Sequence, residues 1–108
     1  MKALSILLIL AMQIQAAPKP RTFTGVISDS MCERGDHSKM QMGPTDGECV
    51  AACVEEHGAK YVLFTGREVY GLSDQNAPER FAGKRVTVKG RLDAKTKAIK
   101  VDSITAAR

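Results

Sequence analysis

The amino-acid sequence predicts a mainly β domain with two short helices, carried in one chain of 108 residues. Three observations predict it. Apolar and polar residues alternate with a period of two through much of the second half of the chain, the pattern of half-buried strands. Turns carrying glycine punctuate these runs at short intervals. One stretch, 46–57, instead spaces its apolar residues three and four apart behind a helix-capping sequence.

The chain opens on Lys2, an apolar run over 4–12 and a small residue, Ala16, after Ile14 and Gln15, which is the layout of a secretory signal. Residues 1–16 are expected to be a signal peptide and 17–21 an extended lead-in, because Pro18, Lys19 and Pro20 cannot join a helix. The remainder, 22–108, is expected to be a single domain. The apolar run is shorter than the about 20 residues that a membrane span requires. The sequence therefore points to a periplasmic or secreted product without a membrane span. The formal charge of +4 includes Lys2, which leaves +3 for the mature domain, a value that mainly serves solubility.

Residues 22–28 are β-branched and aromatic and read as a first strand, with Gly25 marking a bulge or bend. The pattern disappears over 29–44, a loop long enough to be functional or tied down. Thr45-Asp46-Gly47-Glu48 has capping-box spacing, so a helix should run from 46 to 57 and stop at Gly58. Residues 60–65 and 68–72 form the second and third strands around a Gly66-Arg67 hairpin turn. A short helix over 76–82 follows, capped by Asn76, opened by Pro78 and anchored in the core by Phe81. Residues 85–92 alternate strictly, with Val86, Val88 and Leu92 on one face. Residues 98–104 return as a fifth strand, and the broken phase at Ile104 implies a bulge near Ser103.

Five strands with a helix between the third and fourth is the order of a five-stranded Greek-key barrel, the OB-fold. The helix in the first connection is an addition to that plan. Along the same residues run Gly25-x-Ile27-x-Asp29-Ser30-x-Cys32, Cys49-x3-Cys53, Gly58-Ala59-Lys60-Tyr61-Val62-Leu63, and Phe81-Ala82-Gly83-Lys84 with Val86-x-Val88-x-Gly90. This pattern resembles a family of small exported bacterial domains of unassigned function, and it covers nearly the whole mature chain. The resemblance implies an OB-like fold and an exported bacterial setting. It implies no activity.

Chemistry, if any, should lie in the cluster Cys32, His37, Cys49, Cys53 and His57. Positions four apart share a helix face, so Cys49, Cys53 and His57 form one stripe over which Cys32 and His37 can close. Three thiolates with one or two imidazoles suit zinc or copper by ligand softness, and Met31, Met40 and Met42 add thioethers that copper favours. The same geometry also suits a disulfide from Cys32 to Cys49 or Cys53, since an exported thiol pair close in space is usually bridged. The third thiol would then be left for burial or for a protein partner. His57 alone could simply complement the helix dipole, and His37 lies in a polar run. A third alternative, thiol-redox chemistry, would rest on Cys49 near the helix N-terminus.

Other functions find less footing. The cations on the last hairpin, Arg85, Lys89, Arg91, Lys95, Lys97 and Lys100, lack interleaved aromatic residues, so no nucleic acid is expected. No nucleophile elbow, phosphate-cradling loop or calcium-loop spacing is present. The reading is thus a non-catalytic exported binding domain with a Cys/His site, its alternatives being a disulfide-stapled interaction module and a thiol-redox protein.

Overall fold

A computed structural model of the chain describes residues 18–34 and 45–107. The signal peptide expected at 1–16 and the predicted ligand His37 lie outside the described residues. So do Met40 and Met42.

Strand β1, Arg21–Asp29, is followed by helix α1, Asp46–His57. Then come β2, Tyr61–Phe64, and β3, Val69–Leu72, a short 3₁₀ turn, Ala77–Phe81, and the long hairpin β4, Arg85–Asp93, with β5, Ala98–Ala106. Pairing runs β1-β2-β3-β5-β4, and β4 returns to β1 to close the ring. The first half of β1 pairs with β4 (Phe23 opposite Val88), and its second half pairs with β2 (Ile27 opposite Leu63).

This architecture corrects the expected OB-like Greek-key barrel with two helices. The sheet is mixed: β3 and β5 run parallel and meet over only Gly71–Ala98 and Leu72–Ile99. Strand β3 has four residues, too few to extend that seam. The predicted helix over 76–82 is a five-residue 3₁₀ turn, so α1 is the α-helix of the described chain. Asn76 does not cap the turn with its side chain. Asp74 does so instead, its Oδ1 accepting from the backbone N–H of Asn76 at 2.9 Å and of Ala77 at 3.1 Å.

The core lies inside the ring and is built from alternate residues of the strands. Phe23, Ile27, Leu63, Val86, Val88, Ile99 and Ile104 are buried there, with Val50 entering from α1. Full burial of each such side chain contributes about 1.5–3 kcal/mol. The glycines of the sheet allow strands to approach closely. A Cβ on Gly25 would lie 2.3 Å from the Phe64 carbonyl oxygen, so Gly25 serves the crossing of β1 over the end of β2 rather than a bulge. The bulge falls on β5 at Asp102, where Lys89 opposes Ser103 but Gly90 opposes Val101.

Helix α1 begins as its sequence dictates. The Thr45 hydroxyl accepts from the Glu48 N–H at 3.2 Å, and Gly58 ends the helix at φ 67°. Its N-terminus is held by Gly83, which leaves the 3₁₀ turn at φ 73° and packs so tightly that a Cβ there would sit 2.5 Å from the Gly47 nitrogen. The backbone of 82–84 is in turn tied to β1, since the Gly83 N–H donates to the Ile27 carbonyl at 2.8 Å. Helix and strand are thereby set in register, which places the thiols of α1 against the end of β1.

Candidate functional site

Strand β1 ends on three buried residues, Ile27, Ser28 and Asp29. Asp29 folds the chain that follows: its Oδ1 accepts from the Met31 N–H at 2.9 Å and the Cys32 N–H at 3.0 Å, an Asx-type turn. The Ser28 hydroxyl closes the turn by donating to the Cys32 carbonyl at 2.7 Å. Cys32 is thus drawn back toward the strand it follows. Ser30 continues the tie, its backbone and side chain both bonded to Lys60.

Cys49 and Cys53 approach from the buried face of α1 and are 1% and 0% exposed. With Ala59 they form a small apolar cluster of their own, covered by Val54. Burial pushes the Cys53 thiol up to about 11, helped by the negative charge of Asp29, by Cys49 and Cys32, and by a hydrogen bond with Cys49. The three sulfurs and the Asp29 carboxylate are therefore neighbours. The second carboxylate oxygen of Asp29, Oδ2, is buried with no hydrogen-bond partner among the described residues.

This geometry overturns the metal reading. Among the described residues no group of three or more His, Cys, Asp or Glu side chains is arranged to hold a metal ion, so the expectation of zinc or copper is withdrawn. His57, four residues beyond Cys53, is exposed, because the helix outruns the body it packs on and the chain turns away at Gly58. The ligand stripe of Cys49, Cys53 and His57 is thus cut to its two cysteines. Cys32 does come near them, but His37 lies outside the described residues.

The disulfide alternative is overturned as well, since none of Cys32, Cys49 and Cys53 is disulfide-bonded. Cys49 and Cys53 share one helix, where spacing of four residues strains a bridge. The redox alternative lacks the solvent access it needs. A reactive cysteine has to be reachable by its substrate, whereas Cys49, on which that alternative rests, is 1% exposed. Burial also keeps Cys49 and Cys53 from offering a thiol to a partner protein.

Asp29 is the site residue that the sequence reading missed. A signal was present in Asp29-Ser30-Met31-Cys32, where an aspartate directly after a β-rich run can turn the chain on its own side chain. An open depression of about 460 Å³ lined by Asn76, Ala77, Glu79 and Arg80 and one of about 330 Å³ on the Cys32 turn, lined by Met31, Cys32, Glu33 and Arg34, leave Cys49 and Cys53 outside their walls. No helix among the described residues is long and apolar enough to cross a membrane. Comparison with protein-family models, with curated proteins and with solved structures finds no match.

Proposed function

We propose that the chain is an exported, non-catalytic interaction domain in which the thiol cluster seals the open end of the sheet and contact with other molecules is made on the outer surface. The signal-like residues 1–16 and the resemblance to small exported bacterial domains support the exported setting. The observation that carries the rest is the state of Cys53: fully buried and pushed up to about 11, it stays a neutral thiol at physiological pH. A neutral buried thiol packs as a small apolar side chain and attacks nothing. Cys49 and Cys53 then do the work of alanine or valine on the core face of α1.

Two measurements test the reading. Expression of the full chain in a bacterial host should yield periplasmic or secreted protein whose N-terminus, by sequencing, lies near residue 17. Retention of the intact N-terminus in the cytoplasm would remove the exported setting. Iodoacetamide at pH 8 should label Cys49 and Cys53 of the folded protein at least 100-fold more slowly than after unfolding in urea. Labelling of Cys53 at the rate of a free thiol would end the sealing role and reopen thiol chemistry.

A further inference from the structure

The outer face of β1, β4 and β5 is a ladder of cations and hydroxyls. Strand register sets Thr22, Lys89 and Ser103 side by side, and the next rung holds Thr24, Thr87 and Thr105. Arg85 continues the central strand beyond that rung, and on the other side of the bulge Arg91 stands opposite Lys100. Arg85, Lys89, Arg91 and Lys100 are all exposed. Their outward direction is dictated by the core, because the residues between them, Val86, Val88 and Gly90, point inward.

This face is electrostatically unfinished. Like charges directly opposite one another destabilise a sheet, and Arg91 and Lys100 are such a pair. The ion pair among the described residues joins Lys97 to Glu68, and none of the four cations takes part in one. Two exposed carboxylates share the face, Asp102, the bulged residue of β5, and Asp93 at the end of β4, against four cations.

We infer that this face docks a linear anionic polysaccharide whose carboxylates pair with Arg85, Lys89, Arg91 and Lys100 while its hydroxyls bond to the threonines and Ser103. The inference rests on the reading of the chain as an interaction domain. Charge complementarity selects a polyanion, and the flanking composition selects its class. Nucleic acid is held on such surfaces by bases stacked on aromatic rings, and the ladder has none. A bilayer is held by apolar side chains that insert below the headgroups, and the outward positions offer hydroxyls instead. A hydrated, weakly apolar acidic glycan matches both. From Arg85 to Arg91 the strand covers about 20 Å, enough to span several sugar units.

The test uses the full chain with polygalacturonate as probe, followed by titration calorimetry at 20 mM and 200 mM salt. Binding is expected at low salt and should weaken at least tenfold at high salt. The Lys89→Ala, Arg91→Ala double variant should bind at least tenfold more weakly, whereas Lys60→Ala, outside the face, should match the parent. Circular dichroism checks that both variants are folded. Absence of binding to polygalacturonate, equal binding by the double variant, or tighter binding to single-stranded DNA or to phosphatidylglycerol vesicles than to polygalacturonate would each overturn the inference. Thiol protection and N-terminal processing are measured without any ligand, so failure here is separable from failure of the exported, sealed-domain reading.

Discussion

The Asp29 carboxylate at the end of β1 acts on the Cys53 thiol of α1: its charge adds to burial in holding the thiol protonated. Asp29 also shapes the turn that brings Cys32 to the same place. One side chain therefore organises both the geometry and the protonation of the cluster.

Replacing Asp29 should separate these two roles. Asp29→Asn keeps an acceptor at Oδ1 for Met31 and Cys32 but removes the charge, so the Cys53 pKa should fall below about 11 in a pH titration of thiolate absorbance. Asp29→Ala removes two hydrogen bonds at a buried position and should cost about 2–4 kcal/mol in urea unfolding. A Cys53 pKa unchanged in the Asn variant would show that burial alone sets it.

Alkaline pH should unfold the protein through the same group. The folded pKa of Cys53 is raised from 9.0 to about 11, so the folded state keeps its proton after the unfolded state has lost it. Stability from this source is fully present below pH 9 and is lost as pH rises through about 11. The thermal midpoint should fall across that window, and Cys53→Ala should flatten the fall.

Two glycines with nearly the same backbone conformation should respond differently to a methyl group. Gly58, at φ 67°, has room for a Cβ with no atom of the described residues within 4 Å, so Gly58→Ala should cost about 1 kcal/mol for the left-handed conformation alone. Gly83, at φ 73°, would also drive its Cβ to 2.5 Å from the Gly47 nitrogen. Gly83→Ala should therefore cost about 3 kcal/mol or more and loosen α1, seen as faster alkylation of Cys49 and Cys53. Equal stability of the two variants would mean that the Gly47–Gly83 contact is not what holds the helix.

Gln75 should prove a structural residue despite its polar side chain. Its amide accepts from the Tyr61 N–H at 2.8 Å and donates to the carbonyls of Tyr61 and Leu72, each at 3.0 Å, bracketing the start of β2 and the end of β3. Gln75→Ala leaves these groups without that partner and should cost about 2–3 kcal/mol by denaturant unfolding. A loss below about 0.5 kcal/mol would show that water replaces the bracket freely.

Much of this could be read from residue order because it is decided locally. Helix α1 starts and stops where Thr45, Glu48 and Gly58 dictate, and β4 lies where Val86, Val88 and Leu92 alternate with cations. The break at Ile104 correctly pointed to the bulge beside Ser103. The start of the short 3₁₀ turn was misread, since residue type favours Asn76 as its cap but the path of the chain brings Asp74 to the free backbone donors. His57 shows the limit of helical spacing. Periodicity places it on the face of Cys49 and Cys53, but periodicity does not say where the packed body ends.

By itself, then, the order of residues determined the strands and helix α1 with its caps, because each depends on neighbours a few positions apart. Only the tertiary structure decided the parallel seam between β3 and β5, the exposure of His57, and the entry of Asp29 among the thiols. Those outcomes depend on which distant backbone segments come together, as when Gly83 presses on Gly47 and binds Ile27. That contact sets the depth at which α1 sits on β1, and depth separates a neutral sealed thiol from a solvent-facing ligand.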